Sequence, residues 1–158
     1  MQSVLWYIDD QGPDPSAQAA LDVTRSIEGH LSCLHVSSLG SFNMLDAYGG
    51  VAAKHRFIVE AQKHGEKIRM QTKERLDKEN VRWDFNHIEG DPVTAIIRES
   101  SLRDLAILGR PQGNSDKNRP TAFFGELLSH VRTPILFQPY DLIGINLAHP
   151  AIICWNGS

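Results

Sequence analysis

Three glycines and a set of cations share one stretch, LAILGRPQGNSDKNRPTAFFGELLSHV, from Leu105 to Val131. Gly109 closes an apolar run; Arg110, Gly113, Lys117 and Arg119 follow; Gly125, Glu126 and Leu127 then open a segment of helical character. A strand, a glycine loop and a helix N-terminus are the parts of an anion site, because backbone N–H groups and the positive end of the helix dipole both favour a phosphate. Glu126 has the wrong charge for that chemistry. A carboxylate at a helix N-terminus satisfies the dipole itself, for about 0.3–1 kcal/mol, and so substitutes for a bound anion. The cations of the loop either offset phosphate charge or are solvated.

Other chemistries find less support. The seven histidines, His30, His35, His55, His64, His87, His130 and His149, are dispersed and show no HExxH-like ligand spacing, so no metal site is expected. The two cysteines, Cys33 and Cys154, lie in separate apolar segments and read as buried, reduced thiols. There is no GxSxG, no Walker lysine and no paired catalytic carboxylates, so no catalytic residue is assigned.

The elements that must position the glycine loop follow from periodicity. SVLWYI, Ser3 to Ile8, is a short apolar run halted by Asp9 and Asp10, and reads as a buried strand. Asp14 and Pro15 then cap and start a helix that Gly29 is expected to stop, and HLSCLHV is a second strand. After a glycine- and serine-containing stretch, a long amphipathic helix is expected from Val51 to Lys78, with a weak point at Gly65. VRWDFNHI alternates like a half-buried edge strand. Asp91 and Pro92 repeat the capping device, DLAILG is an internal strand, GELLSHV a helix and TPILFQP a fifth strand. Strands alternating with helices through short connections argue for an α/β fold: a five-stranded parallel open sheet with helices on both faces, Rossmann-like. Ligands of such sheets bind beyond the carboxyl ends of the strands, where Asp9, Val36 and Gly109 would converge.

The segments VLWYID, LSCLHV, EGDPVTAIIRESSLRDLAILG and GELLSHVRTPILFQP together resemble the universal stress protein family, apart from Arg103 before Asp104. The resemblance covers residues 3 to 139 outside the 38–55 stretch, and implies an adenine nucleotide alpha-hydrolase-like fold. In that family Asp9 matches the acidic residue that faces the nucleoside and Val36 the residue against which the base packs. ATP-binding members resemble G-x-x-G, nine residues, then G-[ST]. Here Gly109 to Gly113 has one residue too many, Gly113 to Gly125 spans eleven, and Glu126 replaces the hydroxyl residue. The resemblance therefore implies a stress-response protein that acts through association, with weak ATP binding or none. The alternative is an adenine-nucleotide module for ATP or AMP with slow hydrolysis or none, in which adenosine or AMP recognition outlasts triphosphate recognition.

With 158 residues, a hydrophobic share of 41% and a net charge of −3, the chain suits one domain and no broad nucleic-acid footprint. No apolar run approaches membrane-spanning length, and a cytoplasmic location is expected. The family also implies pairing through the fifth strand, as a homodimer or a tandem pseudo-dimer. The domain reading is 1–139 for the stress protein unit, 140–150 for a linker, and 151–158, AIICWNGS, for an extra strand. That strand is the start of a second repeat or is exchanged between protomers.

Overall fold

The structure is a computed structural model that describes residues 2–38, 50–109, 119–139 and 141–149. Its elements, in chain order, are β1 (Ser3–Ile8), α1 (Ser16–Ser26), β2 (His30–Ser38), α2 (Gly50–Leu76), β3 (Arg82–Gly90), α3 (Pro92–Ser100), β4 (Leu105–Gly109), α4 (Arg119–His130) and β5 (Ile135–Gln138). The strands form one five-stranded parallel sheet in the order β3-β2-β1-β4-β5. Among the described residues β3 and β5 are its edges, the first as the alternation of VRWDFNHI predicts. The extra C-terminal strand and Cys154 fall outside the described residues.

Strand alternation sorts the apolar side chains into two layers. Val4, Trp6 and Ile8 of β1, with Leu31 and Cys33 of β2, pack on one face against Ala17, Ala20 and Leu21 of α1 and Ile68 and Leu76 of α2. Leu5, Leu34, Val36, Ala106 and Leu108 pack on the other, against Val93 and Ile96 of α3 and Leu127 of α4. Each fully buried side chain of this size contributes about 1.5–3 kcal/mol. Trp6 also needs a partner for its indole N–H, and donates to the Ser16 hydroxyl at 2.8 Å. Cys33 is free and buried, and burial pushes its thiol well up, so it stays protonated.

Local capping agrees with the sequence in part. Asp91 caps α3 by accepting from the Thr94 N–H at 2.7 Å. Pro15 already has helical torsions, and Asp14 accepts from the Ser16 N–H at 2.9 Å, so the capping role expected of Asp14 holds. The stop of α1 differs from expectation. Glu28, not Gly29, takes the left-handed conformation, with φ 49°, while the N–H groups of Glu28 and Gly29 donate to the carbonyls of Arg25 and Thr24. Gly29 is small for another reason, because a Cβ there would stand 2.9 Å from the Gln2 carbonyl oxygen.

The larger correction concerns α4. The helix begins at Arg119, so Gly125 and Glu126 lie about two turns inside it rather than at its opening. Alanine and phenylalanine in TAFF extend the helical pattern backwards, and Gly125 is too weak a breaker to prevent it. Glu126 is exposed and does not sit at the positive end of this helix. The compensation of the helix dipole expected of it therefore does not arise.

Two helix-interior glycines answer to different constraints. Among the described residues a Cβ at Gly125 would meet nothing within 4 Å, whereas one at Gly65 would fall 2.4 Å from the His87 ring, where α2 presses onto β3. The same substitution therefore has opposite signs at the two positions. Gly125→Ala raises unfolding free energy by about 0.5–1 kcal/mol, the helix penalty of glycine. Gly65→Ala lowers it by about 1–3 kcal/mol through overpacking. Urea titration of both variants reads the two changes, and a stabilised Gly65→Ala would contradict the close packing of α2 on His87.

Candidate functional site

The strand order reverses between β1 and β4, so their following connections leave on opposite faces and open a crevice beyond their carboxyl ends. Parallel register brings the expected residues to that rim. Ile8 pairs with His35 and Tyr7 with Leu108, which sets Asp9 beside Val36 and places Gly109 at the next strand end. Val36 is 1% exposed and packs in the second apolar layer, and Leu127 is fully buried in the same layer. Arg110, Gly113 and Lys117 lie outside the described residues.

Asp9 ends β1 in a tight turn. Its carboxylate accepts from the Gln11 N–H at 2.9 Å, and its carbonyl oxygen accepts from the Gly12 N–H at 3.1 Å. Gly12 has φ 92°, a conformation that glycine tolerates best, and a Cβ there would stand 2.7 Å from the Gln71 side-chain oxygen.

The residue that sequence reasoning undervalued is Asp14. It was read only as a cap, but its carboxylate also fills the space over β4: a Cβ on Gly109 would lie 1.7 Å from Asp14 Oδ2. Its other oxygen, Oδ1, accepts from both the N–H and the hydroxyl of Ser16. Ser16 in turn accepts from Trp6, so a continuous set of hydrogen bonds runs from the core to the rim. Gly109 therefore serves close approach by a protein carboxylate.

The rim is acidic. Burial, opposed by the Gln11 N–H and reinforced by Asp14 and Asp10, holds the Asp9 carboxyl above its ordinary range. Burial, with Asp10, Asp9 and Asp91 adding to it, drives the Tyr7 phenol far up, so Tyr7 keeps its proton. The arrangement offers carboxylate acceptors and a neutral phenol. It complements hydroxyl and amine donors better than phosphate oxygens.

The sequence matches no family model and no curated relative. Solved structures do match. A universal stress protein from Lactobacillus plantarum superposes with a TM-score of 0.65 at 17% identity, over 86% of this chain and 96% of that one. The fold is that of the universal stress proteins. A universal stress protein family protein from Arabidopsis thaliana with AMP bound gives a TM-score of 0.56 at 14% identity, over 89% of this chain and 93% of that one. A universal stress protein in complex with cAMP gives 0.52 at 12%, over 89% and 98%. On this universal stress protein fold the crevice carries an acidic rim, among the described residues, around Asp9, Asp10 and Asp14. Among the described residues no helix is long and apolar enough to cross a membrane.

The raised Asp9 ionisation has a stability consequence of definite sign. The folded state holds the Asp9 proton more tightly than the unfolded chain, so its contribution is complete below the ordinary value of 3.8 and is lost as pH rises through the folded value. At neutral pH the ionised group therefore destabilises the fold. Asp9→Asn keeps an oxygen acceptor for the Gln11 N–H while removing the charge. The variant is expected to be more stable than wild type at pH 7, with the advantage shrinking to nothing near pH 3.8 and below. Thermal unfolding across that pH range measures it, and an advantage independent of pH would contradict the assignment.

Proposed function

We propose that this chain is a universal stress protein that acts by association rather than catalysis, and that its crevice receives the nucleoside end of an adenine nucleotide, adenosine or AMP, in preference to ATP. One observation carries the nucleotide preference: the Asp14 carboxylate sits directly over Gly109 at the end of β4. A triphosphate entering the crevice meets that charge and the neighbouring Asp9 and Asp10. Ribose hydroxyls, in contrast, are donors that a carboxylate at Asp9 can accept. The AMP-bound and cAMP-bound proteins of the same fold support an adenine nucleotide as the ligand class.

Calorimetric titration separates the ligands. AMP is expected to bind more tightly than ATP with Mg²⁺, and an ATP dissociation constant of about 5 µM or tighter, roughly −7 kcal/mol, would overturn the preference. Asp14→Asn retains a good helix cap and removes the charge. It should improve ATP affinity by about 1 kcal/mol, or about fivefold, the interaction of two unit charges 4 Å apart in water. AMP affinity should change less.

Association is assigned to β5. This strand pairs with β4 on one side only, and its outer edge presents unpaired backbone groups among the described residues. Phe137 of that strand packs edge to face with Phe124, ring centroids 4.5 Å apart and nearly perpendicular. A second β5 completes the sheet across a two-fold axis. Sedimentation velocity over a concentration series is expected to show a dimer, and a clean monomer at tens of micromolar would remove this part of the proposal.

A further inference from the structure

We propose that Asp10, His35 and His64 form a binding site for a divalent transition-metal ion of the zinc class. The three residues come from the turn after β1, from β2 and from α2, and are far apart in sequence. One ligand atom from each lies within 4.8 Å of the other two.

His35 is the fixed member. It is fully buried, and its Nδ1–H donates to the Ile8 carbonyl oxygen at 3.1 Å. That bond sets the tautomer and leaves the Nε2 lone pair directed away from the sheet ladder. Among the described residues Nε2 has no hydrogen-bond partner, and Asp10 Oδ1 stands 3.8 Å from it. A buried ring nitrogen without a partner is costly to leave in that state. A histidine with one nitrogen tied to a backbone carbonyl and the other vacant is also the arrangement that metal-ligating histidines adopt.

The rest of the pocket is built to hold that ring. His87, the register partner of His35 on β3, stacks on it with centroids 5.2 Å apart and planes 20° apart. His87 is itself anchored to the Ser37 hydroxyl at 2.8 Å. Gly65 leaves the room that His87 needs against α2. Adjacent to Gly65, His64 brings its ring to 5.9 Å from that of His35, edge to face, with Nε2 at 2.8 Å from the Asp10 carbonyl oxygen.

Metal bonds of about 2.0–2.2 Å require the three donors to close up by roughly 1 Å. Asp10 and His64 reach solvent and supply that movement, while His35 stays in place. Two imidazoles and a carboxylate suit zinc, cobalt or nickel and not the oxygen-seeking magnesium or calcium. Three protein ligands leave a fourth position for water, as in an open site rather than a closed structural one. The site uses none of Asp9, Asp14 or Gly109, and shares only Asp10 with the acidic rim of the crevice.

The test uses the full chain, stripped with chelator and free of nucleotide, titrated with Zn²⁺ alone and, for spectroscopy, with Co²⁺ alone. Expected are one-to-one Zn²⁺ binding at micromolar affinity or tighter and visible Co²⁺ bands of a low-coordinate site. Asp10→Asn and His64→Gln change accessible side chains, fold normally by circular dichroism, and each weaken binding at least tenfold. His149→Ala, on the exposed C-terminal segment, leaves it unchanged. Absence of Zn²⁺ binding at hundreds of micromolar overturns the proposal, as does binding that both Asp10→Asn and His64→Gln leave intact.

Discussion

The contact between the Asp14 carboxylate and the bare α-carbon of Gly109 is the constraint on which most of the functional surface depends. It exists because β1 and β4 are neighbours in the sheet, so the turn after β1 passes over the end of β4. The same carboxylate starts α1 through Ser16, and Ser16 satisfies the buried indole of Trp6. Core packing, helix initiation and the charge of the crevice are thereby tied to a single side chain. Any residue larger than glycine at position 109 would have to displace Asp14 and disturb all three.

That arrangement gives the rim its chemistry. Asp14 and Asp10 add to burial in raising the cost of ionising Asp9, and Tyr7 remains a phenol because burial and the carboxylates of Asp10, Asp9 and Asp91 oppose its deprotonation. Among the described residues the charge lies on the strand β1 side of the crevice. Glu126, on the α4 side, lies about two turns inside the helix rather than at its opening.

The architecture is legible in the sequence because the signals are redundant. Apolar runs, alternation in VRWDFNHI and the Asp-Pro capping pairs all lead to the same parallel sheet, and the strand ends at Asp9, Val36 and Gly109 do converge. Two features were not legible. A glycine in sequence reads as a helix boundary, but with nothing crowding it among the described residues Gly125 is merely a weak helix residue inside α4. The histidines looked dispersed because spacing along the chain says nothing about His35 and His87, which parallel register places side by side, or about His64, which the turn of a long helix brings over them. Strand parity offered a partial signal: His35 follows Leu31 and Cys33 on one face, and a histidine in that position of a buried strand needs a partner.

The nucleotide that the protein carries from the cell tests the central claim most directly. Protein purified without added nucleotide, then denatured, releases its ligand for ion-exchange chromatography with absorbance detection. An acidic rim that accepts hydroxyl donors predicts adenosine or AMP in the supernatant, or no nucleotide, with ATP well below one equivalent. One equivalent of ATP per chain would contradict it, because a triphosphate held that firmly could not share the crevice with the carboxylates of Asp9 and Asp14.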